Sequence, residues 1–217
     1  GILQLLFNAA DMIVVGHANG PTSLAAVGAT SSLINLLINL FMGLSVGANV
    51  LVAHFFAAGQ EKDCKETVHT AILVSMISGI FLAFVGIFLA RPLLALMGTP
   101  SDVLDKSVLY MRVFFLGMPV MLLYNFGSAI LRAVGDTKRP LFYLSVSGVI
   151  NVILNLFFVF VFEMDVAGVA LATVLSQALS AFLIVRCLMK TEGYCKLNIG
   201  DLKIKKDKLF KMIRIGL

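Results

Sequence analysis

Charged residues make up only 13% of this 217-residue sequence, which also has no tryptophan and only three cysteines. Soluble domains carry about 25% charged residues, so the low charge excludes an ordinary soluble enzyme and a disordered chain. Three scattered cysteines argue against a disulfide scaffold and predict no metal site. The sequence is instead rich in hydrophobic residues, at 59%. It therefore predicts an all-α integral membrane protein.

Long runs without Asp, Glu, Lys or Arg indicate where the membrane spans lie. A transmembrane helix needs roughly 20 apolar residues. No charged residue lies between Asp11 and Glu61 or between Glu66 and Arg91, and a turn at 16–21 divides the first run. The pattern predicts a six-helix transmembrane bundle with spans at about 1–18, 25–55, 67–90, 110–131, 140–162 and 167–187.

Basic residues are distributed unequally between the loops. Fourteen of the 17 Lys and Arg lie in the loops 59–66 and 132–139 and in the segment 186–214. Such residues stay on the cytoplasmic side, so both ends of the chain are predicted to be cytoplasmic in the cell inner (plasma) membrane. This placement of the charge also argues against a nucleic-acid partner.

The same distribution divides the chain into three parts. Residues 1–190 form the six-helix lobe, 191–210 a basic cytoplasmic linker, and 211–217 the start of a seventh span. The apolar runs at both ends suggest that the chain is a piece of a longer protein.

Asp11 is the one carboxylate predicted to lie well inside a span. A charge at mid-membrane costs roughly 2.5–3.5 kcal/mol. A bound cation or protonation lowers this cost, so Asp11 is the candidate coupling site for H⁺ or Na⁺. Gln4 and Asn8 precede it by seven and three positions and share its helix face. The alternative is that Asp11 reaches water at a helix end.

Amide and hydroxyl side chains recur in four other predicted spans. They can either join transmembrane helices by hydrogen bonds or line a polar cavity, and for any single residue the sequence leaves both roles open. Their recurrence favours a cavity shared between helices. The residues concerned include Asn35 with Asn39, Asn125, Asn151 with Asn155, and Thr173 with Gln177.

The segment 43–47, Gly-Leu-Ser-Val-Gly, has the spacing of a helix-packing motif and also matches G-x-S-x-G. A hydrolase with Ser45 as nucleophile would need a strand–turn–helix context and a basic partner. The segment lies in an apolar helix, so packing is the favoured interpretation. An intramembrane hydrolase is kept as a remote alternative.

Several segments together resemble a known transporter family. Span 1 contains Asp-Met-Ile-Val-Val-Gly at 11–16, and the fourth loop contains Arg-Ala-Val-Gly-Asp-Thr-Lys-Arg-Pro at 132–140. Span 6 begins Val-Ala-Gly-Val-Ala-Leu-Ala-Thr at 166–173. With the 43–47 segment and the turn at Gly59, these resemble the multidrug and toxic compound extrusion (MATE) family over essentially the whole chain.

The resemblance implies a twelve-helix antiporter of two six-helix lobes, of which this chain is the amino-terminal one. Its partners would be the missing carboxy-terminal lobe, membrane lipid and small cationic or amphipathic compounds. These would be exported in exchange for H⁺ or Na⁺, with no other cofactor and no enzymatic activity. The implied coupling and substrate site comprises Asp11 with Gln4, Tyr110, Asn125, Asn151 and Thr173, beside Asn8 and Asn155 from the polar faces.

One departure from the family pattern leaves the coupling open. One branch of the family has a second carboxylate where this chain has Asn155. Either Asp11 acts alone or the missing lobe supplies coupling carboxylates. The sequence of this half does not distinguish H⁺ from Na⁺ as the coupling ion. A lipid or lipid-linked oligosaccharide flippase of the same fold is the main alternative. Such a protein would be expected to have basic residues deep in its spans, and this sequence has none.

Overall fold

The computed structural model describes residues 13, 21–96, 101–162, 166–190, 196–197, 202 and 204–216. All regular secondary structure in these ranges is helical. The α-helices are α1 (Pro21–Ala57), α2 (Glu61–Leu96), α3 (Ser101–Leu116), α4 (Met118–Ala133), α5 (Lys138–Leu156), α6 (Val166–Lys190) and α7 (Lys206–Gly216), and a π-helical turn at Phe157–Val161 extends α5.

Four helical segments of the described chain are long and apolar enough to cross a membrane. They are Ile34–Ala57, Glu61–Leu96, Lys138–Val161 and Ala167–Lys190. The pair α3 and α4 would add a fifth if both helices belong to one span. The first of the six predicted spans, at 1–18, lies outside the described residues except for Ile13.

The fourth predicted span, 110–131, differs from the expected single helix. The structure has two helices that meet at Gly117, and their axes are bent by 50°. Pro119 lacks a backbone N–H and disfavours helical geometry at Met118. Gly117 also lies so close to α6 that an added Cβ would stand 2.8 Å from Cγ2 of Val174. Hydropathy does not report a break of this kind, because both halves are apolar.

Tight turns join the helices at the end where the basic loops lie. Gly59 has φ +71 between α1 and α2, and Gly135 has φ +91 between α4 and α5. Glycine adopts this left-handed conformation without steric cost and ends helices for that reason. After the second turn, the Tyr124 hydroxyl donates a 2.7 Å hydrogen bond to the carbonyl oxygen of Pro140. This buried bond ties α4 to the first turn of α5.

The chain divides into two compact units. The first contains the described residues up to Leu37 together with Phe81–Met118 and Ser145–Ala178, and the second contains those of Ile38–Ile80, Pro119–Leu144 and Leu179–Leu217. Four long helices therefore contribute a part to each unit. The second unit has a continuous apolar core that includes Phe55, Ile72, Phe126, Ile184 and Met212.

Large apolar side chains also cover the outside of the helices. Phe81, Phe84 and Phe88 on α2 are exposed, and so are Phe160 near the end of α5 and Phe182 on α6. Soluble proteins avoid large contiguous apolar surfaces, whereas a bilayer solvates them. This surface fits the membrane location predicted from the charge-free runs.

Candidate functional site

The structure describes five of the eight predicted site residues. Asp11, Gln4 and Asn8 lie outside the described residues. Tyr110, Asn151, Asn155 and Thr173 all belong to the first unit, where they are buried, whereas half-buried Asn125 belongs to the second unit. Four of the predicted residues therefore lie buried in one unit, and we refer to them as its buried polar group.

A polar stripe on α5 supplies two members of this group. Ser147, Asn151 and Asn155 follow one another at intervals of four residues, so they share one face of the helix. All three are buried. The side-chain oxygen of Asn151 has no hydrogen-bond partner among the described residues. Since buried polar groups are normally paired, this amide oxygen marks a place where a further group can bind.

The polar residues of α6 divide into satisfied and unsatisfied ones. The Thr173 hydroxyl donates to the Val169 carbonyl at 3.1 Å, and the Ser176 hydroxyl donates to the Ala172 carbonyl at 2.6 Å. Such bonds to the preceding turn satisfy a hydroxyl within its own helix. The side-chain oxygen of Gln177, by contrast, has no partner among the described residues.

Two further residues of the first unit have buried polar atoms, and the sequence analysis did not place them in the site. Gln177 was noted only as the i+4 companion of Thr173, and that spacing was the signal that could have placed it in the site. Ser107 on α3 is fully buried and its hydroxyl has no partner among the described residues. It precedes Tyr110 by three positions, so both lie on neighbouring turns of α3.

The predicted polar pair on α1 is not buried like the pair on α5. Asn35 and Asn39 on α1 are exposed in the described chain, so they do not contribute to the buried polar group. Asn49, farther along α1, donates a 2.8 Å hydrogen bond from its amide to the carbonyl oxygen of Ala129 on α4. Asn49 therefore joins two helices, whereas the side-chain oxygen of Asn151 has no partner among the described residues.

The group can accept hydrogen bonds or coordinate a cation, but it has no nucleophilic dyad. The orphaned atoms of Asn151 and Gln177 are amide oxygens, which accept hydrogen bonds and ligate hard cations. Within the described residues, no three His, Cys, Asp or Glu side chains cluster as metal ligands. Ser45 is buried, and its hydroxyl donates to the Met42 carbonyl at 2.7 Å within its own helix.

The sequence model of the MatE family matches residues 1–157. The chain belongs to this family. The resemblance inferred from the sequence motifs is therefore confirmed, and the protein is a multi-pass membrane protein of a transporter family. The all-α fold predicted from composition is confirmed for the described chain.

Curated relatives of this MatE chain carry transport names. It is 32% identical to the probable multidrug resistance protein YoeA of Bacillus subtilis, over 99% of this chain and 48% of the relative. A FAD transporter of Shewanella oneidensis is 26% identical over 85% of this chain and 43% of the relative. The multidrug export protein MepA of Staphylococcus aureus is 22% identical over 100% of this chain and 48% of the relative.

Solved MATE structures have the same fold. A MATE transporter in a bent conformation superposes with a TM-score of 0.91 at 27% identity, over 99% of this chain and 48% of that one. An inward-facing multidrug resistance MATE transporter superposes with a TM-score of 0.90 at 28% identity, over 98% and 48%. The chain spans about half the length of the relatives and structures that it matches.

Proposed function

We propose that the full-length protein is a secondary multidrug exporter, which carries cationic or amphipathic compounds out of the cell in exchange for H⁺ or Na⁺. This chain would supply the amino-terminal one of its two lobes. The observation that carries the proposal is the buried polar group of the first unit, with the orphaned amide oxygens of Asn151 and Gln177. The names of the curated relatives support the same activity.

The chemistry of this group suits a cation better than an anion. An orphaned amide oxygen in an apolar interior costs free energy that a bound cation, a polar substrate or water can recover. Arg91 and Arg112, which belong to the same unit, are exposed; Arg91 pairs with Asp105 at 2.7 Å, and Arg112 donates to the Ile87 carbonyl at 3.0 Å. These arginines are engaged at the surface, which disfavours the alternative of a phosphate-bearing flippase substrate.

In the proposed mechanism Asp11 couples transport to the ion gradient. A carboxylate at membrane depth must bind a proton or a cation when water is excluded. Gln4 and Asn8 would orient it, and Na⁺ at Asp11 is the alternative to H⁺. Reciprocal occupancy by ion and substrate would then drive alternating access between two lobes, as in other transporters with repeated halves. No enzymatic step is required.

The direct test is transport by the full-length protein in vesicles, with wild type beside Asp11→Asn. A fluorescent lipophilic cation is followed first under an imposed pH gradient and then under a Na⁺ gradient. We expect Asp11→Asn to abolish coupled transport while the protein remains folded. The matched control is Asp105→Asn, the same chemical change at an exposed surface pair, where an ion pair is worth about 0.2–1 kcal/mol and transport should persist.

Each outcome of this test has a distinct meaning. Loss of transport in Asp11→Asn alone supports coupling through this lobe, and the effective gradient identifies the ion. Normal transport by Asp11→Asn would place coupling in the other half of the protein. If the wild type transports the cation under neither gradient, the flippase alternative becomes the better explanation.

A second test uses the orphaned amide itself. Asn151→Leu removes a buried unpaired polar group, so the protein should become more stable by about 1 kcal/mol, while transport falls about tenfold. Asn49→Leu is the control with the opposite sign, because that amide is bonded to Ala129 and its loss should lower stability. Thermal unfolding and transport are measured on both variants. Unchanged transport in Asn151→Leu would contradict the assignment of this group as the substrate site.

The location and orientation complete the proposal. The basic loops favour a plasma-membrane protein with both ends of this chain in the cytoplasm.

Ser45→Ala should leave all activity intact, since the hydroxyl donates a hydrogen bond within its own helix. Lost activity with unchanged stability would revive the hydrolase alternative.

A further inference from the structure

Helix α7 is fixed against the ends of α1 and α2. Met212 on α7 is completely buried, and its carbonyl oxygen lies where a Cβ on Gly47 of α1 would stand. The ammonium group of Lys208 lies 2.9 Å from a carboxylate oxygen of Asp63 on α2 and 4.8 Å from the centre of the Phe55 ring. The position of α7 is thus determined by packing and by charge.

The exposed side of α7 is basic and carries an aromatic residue. Lys206, Lys211 and Arg214 are exposed, and 70% of the Phe210 surface is open. A helix with one packed face, a basic face and an exposed phenylalanine is typical of the membrane–water interface. Its surroundings therefore include lipid headgroups.

A cavity of about 400 Å³ opens between α1 and α7 within the second unit. Its cationic lining consists of Lys211 and Arg214 from α7, and the imidazole of His54 lines it from α1. Its apolar lining consists of Val50, Leu51, Phe55 and Ile215.

The cationic lining is not neutralised by the described part of the chain. Among the described residues, no Asp or Glu lines the cavity. Neither Lys211 nor Arg214 forms an ion pair with a described carboxylate, and the nearby Asp63 and Asp207 are engaged by Lys208. Lys211 and Arg214 are three residues apart and so face the same side of α7. An anionic group placed between them would gain two attractive partners.

The apolar lining indicates the second half of the ligand. Val50 lies inside the membrane-spanning part of α1, Ile34–Ala57, about 10 Å from the end of the helix at the usual rise per residue. The cavity thus crosses from headgroup depth toward hydrocarbon depth. A ligand that fills it needs an anionic head and an aliphatic tail.

We propose that this cavity binds an anionic phospholipid from the membrane leaflet beside α7. Its phosphate would lie between Lys211 and Arg214, and an acyl chain would lie along Val50 and Ile215. The basic loops place this leaflet on the cytoplasmic side, where anionic lipids attract polybasic segments. A cationic export substrate is repelled by the same two side chains, so this site is separate from the polar group of the first unit. Bound lipid would hold α7 against α1.

The test uses the full-length protein titrated in neutral detergent with phosphatidylglycerol and, separately, with phosphatidylcholine. Native mass spectrometry counts the bound lipids. Each basic side chain near an anionic group contributes about fivefold, so Lys211→Gln with Arg214→Gln should weaken phosphatidylglycerol binding about thirtyfold and leave phosphatidylcholine unchanged. The control removes the same charge at exposed positions that do not line the cavity, with Lys62→Gln and Lys138→Gln.

The apolar part is tested with Ile215→Ser, which should weaken binding of the lipid but not of inorganic phosphate. Equal weakening by the control pair would overturn the proposal in favour of diffuse attraction to the basic surface. Competition by inorganic phosphate at the affinity of the lipid would overturn it in favour of a free-anion site. Equal binding of both lipids by the wild type would also overturn it.

Discussion

At the scale of single residues, the same side chain has opposite consequences in different surroundings. The amide of Asn49 donates a hydrogen bond to a backbone carbonyl of the neighbouring helix, whereas the amide oxygen of Asn151 is buried without a partner among the described residues. A buried unpaired amide lowers stability, so its presence in the first unit supports the proposal that it binds a ligand. Sequence patterns identify both residues as polar positions in spans, but only packing separates the two roles.

Substitution of two closely packed glycines should change the stability of the protein by different amounts. A Cβ at Gly47 would overlap the backbone carbonyl of Met212, whereas a Cβ at Gly127 would meet mainly side-chain atoms of Ile184. Overpacking costs about 1–3 kcal/mol, and alanine recovers about 1 kcal/mol of helix propensity. Gly47→Ala should therefore lower stability by about 2 kcal/mol, while Gly127→Ala should be near neutral.

Thermal unfolding of the two variants in the same detergent measures this difference. If Gly127→Ala were the more destabilising, the close approach of α7 to α1 would not be a feature of the folded protein.

At the scale of elements, two helices depart from what hydropathy suggests. The fourth predicted span is two helices with a 50° bend at Gly117, where Pro119 lacks a backbone N–H and Val174 packs close to the glycine. Helix α7 begins before the predicted seventh span at 211–217 and extends over Lys206–Gly216. Its Lys208 is buried among carboxylates, which makes α7 a packed part of the second unit.

The element-scale prediction concerns the attachment of α7. The Lys208 side chain is 4% exposed and lies 2.9 Å from Asp63 and 3.1 Å from Asp207. Lys208→Met leaves these carboxylates without their partner and should lower stability by about 1–3 kcal/mol. Lys65→Met is the control, since the Lys65–Glu61 pair is exposed and is worth about 0.3–0.5 kcal/mol. Equal losses in thermal unfolding would contradict a specific role for Lys208.

The pH dependence of this attachment follows from the pKa values. Burial opposes the charge of Lys208, but its hydrogen bonds with Asp63 and Asp207 raise its pKa above the usual value, and the hydrogen bond from Lys208 lowers the pKa of Asp207. The contribution of the Lys208 charge to stability is complete below about pH 10.4 and is lost as the pH rises through the raised pKa of Lys208. The Asp207 contribution is present above about 3.9 and is lost as pH falls through its lowered pKa.

The stability difference between wild type and Lys208→Met should thus be constant from about pH 5 to pH 9. It should shrink at both extremes. A difference that varies strongly between pH 5 and pH 9, measured by thermal unfolding in buffers across this range, would contradict this assignment.

At the scale of the whole molecule, charge and apolar surface together predict how the chain lies in the membrane. Fourteen of the 17 basic residues fall in two loops and the final segment. The exposed phenylalanines of α2, α5 and α6 form a surface that suits lipid. The family membership shown by residues 1–157 agrees with a multi-pass protein.

The whole-molecule prediction is the orientation. In the full-length protein without its native cysteines, a membrane-impermeant maleimide added to intact cells should label Asp105→Cys. It should label Gln60→Cys and Thr137→Cys only after the cells are opened, because loops rich in Lys and Arg are generally retained on the cytoplasmic side. All three native residues are exposed. The reverse labelling pattern would invert the topology.

Much about this protein was determined by its sequence alone. Charge-free runs predicted all-helical membrane segments, and the motifs at 11–16 and 132–140 identified the family, because these signals depend on composition and local spacing. The four-residue spacing of Asn151 and Asn155 likewise placed both on one helix face.

Other features were decided only by the tertiary structure, because they depend on contacts between segments distant in the chain. At the bend, Val174 on α6 packs close to Gly117. The side-chain oxygen of Gln177 has no hydrogen-bond partner among the described residues. The cavity lies between α1 and α7, which also approach each other closely at Gly47 and Met212. Periodicity shows which residues share a helix face, but the neighbour that meets this face is determined only when the chain packs.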